Sequence, residues 1–427
     1  MRLKALIPIL PIGFNLLFPV AISQSTTFQP FGISFKSPVT VLAGLKASVV
    51  FSNLTTPRGI TFDGENNLLV VERGLGLSAF HPSIDNKGSV GWERTLVINN
   101  PNFTQGVQVD GEVLYVSTAT DTLAYQYDVN TRSIAGGVDG KPWWSVVSGI
   151  PGDGGAYASL TLQRELIYIS ELTTHTLQLE RDLTRSIALL IANGPKTNID
   201  ETARDPASGR SQIRRFPLAS PITFPISPPT QNWDDGQVIA FGIRNPAGFA
   251  FLPSSSNLIH EASAHLKALL VVENGASIDG TSNLTSTFVN DNPADELELV
   301  TFSSSIPTNE STHSAPQSYG FPDCTTLWNP VADPIGNPQF ADKKRGDQFS
   351  LQLDPTRGDD FCSNSKNNQP PVISFQAHSV PLDIKFYDPS FGLLSSGSLP
   401  SSFRNRFFVS FHGSFNRNPP TGYGVVM

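Results

Sequence analysis

The chain has 427 residues, of which 29 are Lys or Arg and 37 are Asp or Glu, so its formal net charge is −8. Charged residues make up only 15%, whereas Gly and Pro number 34 each and Phe numbers 28. This composition excludes a coiled coil, a long helical bundle and a basic nucleic-acid-binding protein. The apolar share of 39% excludes a disordered chain.

The first residues have the features of a secretory signal peptide. Arg2 and Lys4 precede a mostly apolar stretch, and the small residues before Gln24 predict cleavage after Ser23. Prolines and the short apolar run disfavour the alternative, a membrane anchor. We therefore expect residues 1–23 to be removed and residues 24–427 to form a secreted, soluble domain without a membrane partner.

The cysteines and glycosylation sequons agree with export. Cys324 and Cys362 are the two cysteines of the chain, and an even count in an oxidising compartment predicts one disulfide. Sequons of the type Asn-x-Ser/Thr predict a glycoprotein. They begin at Asn53, Asn102, Asn283 and Asn309.

One strand pattern recurs along the chain. A short strand, a polar turn and a second apolar strand form the same predicted hairpin at each occurrence. Repeats at intervals of about 45–75 residues, one of them much longer, indicate propeller blades, whereas the alternative, a β-sandwich, rarely repeats one hairpin so often. The paired segments are 59–63 with 67–72, 106–110 with 113–117, 176–179 with 187–191, 248–251 with 268–272, and 382–387 with 407–411.

Ring closure is the open question of this fold prediction. The last hairpin ends near Met427, and 425–427 has the pattern of the middle of a strand. Either the ring has five blades or a sixth is incomplete, and we favour the second: an all-β, six-bladed propeller whose sixth blade is incomplete. The long polar segment 274–370, which holds both cysteines, is predicted to cover a central pocket on one face.

Polar side chains stand next to the predicted inner strands. At the mouth of a propeller channel they would build a cationic pocket, in which arginine forks suit the carboxylates of an anionic ligand. The alternative for each residue is a turn cap or a surface ion pair. The residues are Arg58, Gln105, Arg244, Asn245 and His378 before the strands, and His412 and Arg417 after the last one.

Other cofactor and metal motifs are few. The sequence has no G-x-G-x-x-G after a strand, no C-x-x-C and no H-E-x-x-H, so neither a dinucleotide site nor a zinc site is expected. The acidic turn 291–296 offers oxygen ligands for calcium, with Asn292 and Pro293 as the candidate ligands. The alternative for this turn is a solvated loop.

Several of these motifs together resemble a known family. Over residues 28–427 the chain is similar to fungal pyrroloquinoline quinone-dependent pyranose dehydrogenases, to sorbosone dehydrogenases and, more distantly, to soluble quinoprotein glucose dehydrogenase. The motifs are Pro57-Arg58-Gly59-Ile60, Gly242-Ile243-Arg244-Asn245-Pro246-Ala247-Gly248, Asp295-Glu296-Leu297, Tyr319-Gly320-Phe321-Pro322-Asp323, Ala377-His378-Ser379-Val380-Pro381-Leu382 and His412-Gly413-Ser414-Phe415-Asn416-Arg417.

The resemblance implies a six-bladed propeller that oxidises a pyranose or related sugar by hydride transfer to pyrroloquinoline quinone. Electrons would then pass to a cytochrome or another redox acceptor. It implies calcium at the quinone as a Lewis acid, and arginines that neutralise the quinone carboxylates. The predicted cofactor site consists of Arg58, Gln105, Arg244, Asn245, His412 and Arg417, and the predicted metal ligands are Asn292 and Pro293.

One departure from the family pattern affects the catalytic base. The family carries a Gly-Gly-His motif before the third inner strand, whereas here Gly155 is followed by the stretch Ala156–Leu172, either an insertion or a gene-model error. His175 then stands where the family has Arg. Because the motif histidine is absent, we predict that His378 is the catalytic base.

Two alternatives come from other classes of function. A calcium-dependent propeller lactonase or related hydrolase would also use central calcium and histidines. A carbohydrate-binding propeller would bind sugar without catalysis. Dye reduction after reconstitution with the quinone separates the three hypotheses.

Overall fold

The computed structural model describes most of the chain beyond its N-terminus. The described residues are 26–135, 141–152, 175–182, 186–218, 228–252, 266–281, 283–305, 315–387 and 399–427. The predicted signal peptide 1–23, the stretch Ala156–Leu172 and the sequon at Asn309 lie outside these ranges. Within them, each helix is too short or too polar to cross a bilayer.

The predicted all-β propeller is confirmed. In the described residues the strands form five blades, and the predicted sixth blade is not confirmed. Each of the five predicted hairpins pairs the innermost strand of a blade with its second strand. Short strands that alternate with tight turns form these sheets because the β-branched and aromatic residues lie on pleated, buried surfaces.

The first two blades come from the N-terminal third of the chain. The strands of the first blade are β1 (Thr26–Pro30), β2 (Pro57–Phe62), β3 (Leu68–Glu72), β4 (Gly76–Ile84) and β5 (Val90–Asn99). Those of the second are β6 (Val107–Asp110), β7 (Val113–Ser117), β8 (Asp121–Asp128), β9 (Ser133–Ile134) and β10 (Trp143–Ser148). In space the first blade has the order β1-β5-β4-β3-β2, so β1 closes its outer edge.

The third and fourth blades follow, and short strands from other parts of the chain add to the edges of neighbouring sheets. The third blade has β11 (Leu177–Arg181), β12 (Ser186–Asn193), β13 (Gln212–Pro217) and β15 (Gln237–Phe241). The fourth has β16 (Pro246–Phe251), β17 (Leu266–Glu273), β18 (Asp295–Ser303) and β22 (Ile373–Phe375). Two parallel additions link neighbours: β14 (Gln231–Asn232) pairs with β10, and β19 (Gln317–Ser318) pairs with β15.

The fifth blade has three described strands, and a cap lies beside the fourth. The blade consists of β23 (Pro381–Tyr387), β24 (Arg406–Phe411) and β25 (Gly424–Val426). The cap contains α1 (Ser286–Asn290), β20 (Cys324–Thr326), β21 (Gln348–Ser350) and α2 (Asp359–Cys362). Single 3₁₀ turns occupy Glu201–Arg204, Pro206–Ser208, Trp233–Asp235, Pro338–Phe340 and Ser401–Phe403.

The core consists of apolar layers between consecutive blades. On β12, Leu189 and Ile191 pack toward the second blade, whereas Leu190 and Ala192 pack toward the fourth. Successive side chains of a strand point to opposite faces, so a strand between two blades must be apolar on both. This explains why the second strands of the blades read as nearly continuous apolar runs.

Glycines allow the inner strands to approach one another. A Cβ built on Gly248 of β16 would lie 2.4 Å from Asp383 Cα on β23. In the same way, a Cβ on Gly59 would lie 2.1 Å from the carbonyl oxygen of Gln105. The innermost strands therefore come closer to the next blade than any side chain would permit.

The cap carries the predicted disulfide, which is confirmed. The Cys324–Cys362 bridge spans 38 residues of sequence and has an S–S distance of 2.04 Å. Next to it, the buried Asp323 accepts hydrogen bonds from Arg204 Nη2 at 2.7 Å and from Arg357 Nη1 at 3.0 Å. The bridge holds the cap together, and this carboxylate ties it to the 3₁₀ turn Glu201–Arg204 between β12 and β13 of the third blade.

The segment 274–370 is only partly a cover over one face. β18 lies inside it and is a strand of the fourth blade, paired with β17 and β22. The prediction treated Asp295 and Glu296 as part of an acidic turn, whereas both are buried at the start of this strand. Because these carboxylates interrupt the apolar pattern, the hydrophobic periodicity of the sequence does not reveal this strand.

Candidate functional site

A cavity of about 490 Å³ opens on the face where the inner strands of the third to fifth blades begin. Antiparallel pairing brings the end of β17 and the starts of β16 and β18 to this same edge. Arg244 and His378 line it together, and we call it the Arg244 cavity. Its other lining residues are Lys196, Thr197, Asn198, Asn245, Asn274, Gly275, Ala276, Ser277, Asp279, Pro293, Asp295, Val380, Phe415 and Asn416.

Arg244 is held by neutral oxygen atoms. Its Nε donates to the carbonyl oxygen of Asn198 at 2.9 Å, and its Nη2 donates to Asn198 Oδ1 at 3.1 Å. Nη1 donates to the carbonyl oxygens of Asn274 and Gly275, both at 3.1 Å. These four bonds leave one Nη2–H, because a guanidinium has five N–H donors.

The charge of Arg244 lacks a direct counter-ion. Among the described residues, no carboxylate forms an ion pair with its guanidinium, although the backbone N–H donates to Glu273 Oε1 at 2.7 Å. Burial lowers the pKa of Arg244 to about 10, against the charges of Glu273 and Asp295, which raise it. A buried cation with neutral partners is a site for an anionic ligand.

Asn245 and Asn274 separate the Arg244 cavity from the central channel. Asn245 Nδ2 donates to Asn274 Oδ1 at 2.7 Å, whereas the buried Asn245 Oδ1 has no hydrogen-bond partner among the described residues. Both residues also line a second space of about 360 Å³, the channel cavity. Arg58 and Gln105 line this channel cavity and not the Arg244 cavity.

The imidazole of His378 is oriented by one hydrogen bond. Its Nε2 lies 2.8 Å from the carbonyl oxygen of Val289, at the end of α1. A carbonyl oxygen only accepts, so Nε2 carries a proton, and in the neutral imidazole Nδ1 then carries the lone pair. His378 is 8% exposed and has a φ of +59°, which is uncommon for a residue other than Gly.

The two predicted metal ligands differ in what they offer. The buried side chain of Asn292 accepts from the backbone N–H groups of Trp328 and Asn329 and donates to the carbonyl oxygens of Phe288 and Asn329. Its amide is therefore fully used inside the cap. Pro293 lines the Arg244 cavity, so the oxygen atoms left for a metal are backbone carbonyls.

Three buried glutamates form a second candidate metal centre behind the cavity. Glu273, Glu296 and Glu298 have carboxylate oxygens within 4.8 Å of one another. Burial raises the pKa of Glu296 to about 7, and burial together with the neighbouring carboxylates raises the pKa values of Glu273 and Glu298. Such a cluster can hold a divalent cation through oxygen ligands, or protons in its place.

Two predicted cofactor ligands lie outside both cavities. Arg417 Nη2 pairs with Asp291 Oδ1 at 2.6 Å, and its Nη1 donates to the carbonyl oxygen of Pro419. His412 Nδ1 lies 3.2 Å from the carbonyl oxygen of Gly413, and the ring packs edge-on against Tyr423. The predicted set is thus divided among two cavities and the neighbouring surface.

His175, which stands at the family's arginine position, is fully buried. Its Nε2 lies 2.8 Å from the carbonyl oxygen of Ala119, and its Nδ1 lies 3.1 Å from that of Ala192. Burial lowers the pKa of His175, against both hydrogen bonds. The ring fills a gap between the second and third blades and lines neither of the two cavities.

Sequence reasoning missed several cavity residues. Phe415, Asn416 and Asp295 stand inside the motifs that it singled out, so their position in those motifs was a usable signal. Asn198 and Asn274 have no such signal, since they lie in the loops after β12 and β17 with no motif around them. Only the folded chain brings them to Arg244.

Family membership follows from comparison with known proteins. The TrAA12-like family model matches residues 39–427, nearly the whole chain. The chain belongs to the TrAA12-like family. This TrAA12-like chain is 28% identical over 405 residues to the "Pyrroloquinoline quinone-dependent sugar dehydrogenase" of Hypocrea jecorina, covering 94% of this chain and 79% of that protein.

Other relatives of the TrAA12-like chain agree. The "Pyrroloquinoline quinone-dependent pyranose dehydrogenase" of Coprinopsis cinerea is 27% identical over 392 residues, which span 91% of this chain but 44% of that protein. The iodide structure of the Trichoderma reesei family AA12 enzyme superposes with a TM-score of 0.67 at 27% identity, covering 92% of this chain and 83% of that one. The holo pyranose dehydrogenase PQQ domain of Coprinopsis cinerea gives a TM-score of 0.61 at 24% identity, with 88% and 76% covered, and so supports the fold.

Proposed function

We propose that this chain is a secreted quinoprotein oxidoreductase, which oxidises a pyranose or related sugar with pyrroloquinoline quinone and calcium. A cytochrome or another acceptor would take the electrons. The observation that carries the proposal is the buried guanidinium of Arg244, held by neutral oxygens in a cavity of about 490 Å³ that His378 also lines. The similarity to proteins named for this cofactor, over 94% of the chain, supports it.

The residues present fit an anionic cofactor. Arg244 and Lys196 both line the cavity, and Arg244 keeps one Nη2–H for a carboxylate oxygen. Asn245 contributes a buried Oδ1 that accepts a further donor. The backbone carbonyl of Pro293, which lines the cavity, is the ligand available to a calcium ion at this wall, whereas the buried Asn292 does not line the cavity.

The chain's own residues supply binding and proton transfer. Bound at this site, pyrroloquinoline quinone would supply the hydride acceptor and calcium would supply a Lewis acid. His378 Nδ1 takes the proton of the hydroxyl on that carbon, since Nε2–H is held by Val289. Phe415, 54% exposed at the rim, offers an apolar face to the sugar ring, beside the amide of Asn416.

The proposal includes a six-bladed ring. The channel cavity is lined by Phe408 and Ser410 of β24, by Val425 of β25 and by Ile60 of β2. In a closed propeller only the inner strands line the channel. A further blade between β25 and β2 would cover these side chains and separate the channel from the solvent.

Cofactor binding by Arg244→Ala tests the function. We expect the variant to lose at least about tenfold in quinone affinity, because a charge-assisted bond in a buried site is worth about 1.5–3 kcal/mol. Arg345→Ala is the matched control, since Arg345 stacks on Trp328 outside both cavities. Quinone affinity would be measured by titration calorimetry in the presence of calcium.

Dye reduction with a panel of sugars completes the test. Reduction of an artificial acceptor by wild type with quinone, calcium and a pyranose supports the proposal. Lactone hydrolysis without dye reduction would show a hydrolase, and sugar binding without either activity would show a binding module. Equal quinone affinity of Arg244→Ala and wild type would contradict the assigned cofactor site.

Secretion is tested on the protein that its host releases. We expect the N-terminus of the protein in the culture medium to be Gln24, after removal of residues 1–23. We also expect enzymatic removal of N-glycans to lower its mass, because Asn53, Asn102 and Asn283 are exposed. Recovery of the protein only inside cells, with Met1 intact, would contradict this part.

A further inference from the structure

Asp295 connects two walls of the Arg244 cavity. It is the first residue of β18 and is 3% exposed. Its Oδ1 accepts from the backbone N–H of Gly275 at 2.8 Å, and its Oδ2 accepts from the backbone N–H of Val380 at 2.7 Å and from Ser379 Oγ at 3.2 Å. One buried carboxylate therefore binds segments that are about 100 residues apart in sequence.

The wall that contains His378 is under backbone strain. His378 has a φ of +59° and Val380 has a φ of +54°, both in the left-handed region. For a β-branched residue such as valine this conformation is a genuine outlier. Strained residues of this kind persist only where the surrounding structure over-determines them, and they cluster at functional sites.

The opposite wall contains the oxygen atoms that hold Arg244. The carbonyl oxygen of Gly275 accepts from Arg244 Nη1 at 3.1 Å, while the N–H of the same residue donates to Asp295. A displacement of Gly275 would therefore move an acceptor of the guanidinium. Asp295 is thus hydrogen-bonded on one side to Gly275, an acceptor of Arg244, and on the other side to Val380, in the turn that contains His378.

We infer that Asp295 is a positioning residue, which fixes the His378 turn and the Arg244 guanidinium relative to each other across the cavity. The inference rests on the proposed function for its consequence in turnover, but not for its geometry. Asp295 acts through His378, whose Nε2–H is anchored separately at Val289. The orientation of the Nδ1 lone pair then depends on the strained turn that Asp295 holds.

The first test uses the apo-protein and NMR. In ¹⁵N-labelled wild type we expect His378 to show the Nε2–H tautomer, with slow exchange of that proton. In Asp295→Asn we expect the His378 signal to shift and to lose its slow exchange, because an amide cannot accept from both Gly275 and Val380 and also from Ser379. Asp85→Asn is the control, since Asp85 accepts from the backbone N–H groups of Lys87 and Ser89 in an exposed hairpin turn.

The second test is a double-mutant cycle on the reconstituted holoenzyme. We expect Asp295→Asn to lower kcat at least about tenfold with a smaller change in KM, and to have little further effect when combined with His378→Ala, since residues that act as a unit are not additive. Independent, multiplying effects would overturn the inference, because Asp295 would then act without His378. Ser379→Ala, which removes the weakest of the three bonds, gives an intermediate loss and serves if Asp295→Asn does not fold.

Failure of this inference is distinguishable from failure of the proposed function. A wild type that neither binds quinone nor reduces dye would contradict the function, and the NMR comparison on apo-protein would still report on Asp295. An unchanged His378 signal in folded Asp295→Asn would overturn the positioning role. A changed signal with slow turnover in the holoenzyme supports both.

Discussion

At the scale of single residues, burial shifts pKa values against the charged form, as it does at Arg244, at Glu273 and at the two glutamates of β18. Among the described residues, the guanidinium of Arg244 is hydrogen-bonded to neutral oxygen atoms, whereas the three carboxylates have oxygens within 4.8 Å of one another. Burial disfavours the charged form in both cases, and it lowers the pKa of Arg244 but raises those of the glutamates. The two effects together leave the site prepared for an added anion on one side and an added proton or cation on the other.

The glutamate cluster predicts a pH dependence of stability. A carboxyl group with a raised folded pKa binds its proton more tightly in the folded state, so its contribution is full below about pH 4.5 and is lost as the pH rises through about 7. For Glu296 this loss amounts to about 3 kcal/mol. We expect the free energy of unfolding, measured by urea denaturation in EDTA, to fall between about pH 5 and pH 8.

Glu298→Gln identifies the source of that fall. Glu298 is buried beside Glu273 and Glu296, and a neutral amide replaces a carboxyl group that is costly to ionise there. We expect the variant to be more stable than wild type at pH 8 in EDTA, by about 1–2 kcal/mol, with a flatter pH profile. The exposed Glu65→Gln is the control, and a profile for Glu298→Gln that matches wild type would contradict the explanation.

At the scale of elements, close contacts between inner strands define how the blades meet. Gly248→Ala would place a Cβ 2.4 Å from Asp383 Cα, where backbone cannot yield. We expect a loss of about 1–3 kcal/mol in the free energy of unfolding, as for other overpacked sites. Gly64→Ala is the matched control, because a Cβ there meets no atom within 4 Å. Equal urea midpoints for the two variants would contradict this account of blade packing.

The disulfide stabilises the cap as a unit. The bridge spans 38 residues, and in the chain-entropy model a loop of this size is worth about 4 kcal/mol. We expect a Cys324→Ser/Cys362→Ser double variant to be cut within the cap by a protease at concentrations that leave wild type intact. Titration of denatured, unreduced wild type should give no free thiol, and two thiols per chain would show that the bridge does not form.

At the scale of the whole molecule, apolar layers join each described blade to the next, from the first to the fifth. Beyond the fifth, Val425 and Val426 of β25 are exposed, as are Ile60 and Phe62 of β2. Ile60 and Val425 both line the channel cavity. These two flanks have the apolar character of the inter-blade layers but lack a described partner, which is the physical basis for proposing the six-bladed ring.

Charge substitutions on this flank test ring closure. In the protein as its host produces it, we expect Val425→Lys to lower the free energy of unfolding by more than about 2 kcal/mol, because a buried, unpaired charge is costly. Ile84→Lys is the control at an exposed hairpin end of the first blade, where an effect below about 0.5 kcal/mol is expected. Equally small effects at both positions would show that no blade covers β25.

The sequence by itself determined the repeated hairpins, the disulfide and the residue types of the site. Hairpins follow from alternation and turns within a few residues, and the pairing of two cysteines leaves no choice of partner. These features depend on residues close together in sequence or on a single possible pairing, so they can be predicted without the tertiary structure. The motifs around Arg244 and His378 likewise marked the two residues that the fold brings to one cavity.

Only the tertiary structure decided which of the remaining polar residues share a space. Arg58 lies at the start of β2 and Arg417 lies in the loop after β24, yet Arg58 lines the channel cavity and Arg417 pairs with Asp291. In the sequence Asp295 looked like a carboxylate of an acidic turn. In the structure it is buried and accepts hydrogen bonds from three donors in segments far apart in sequence. Contacts of this kind depend on how blades turn about the channel axis, which the order of residues along one strand does not encode.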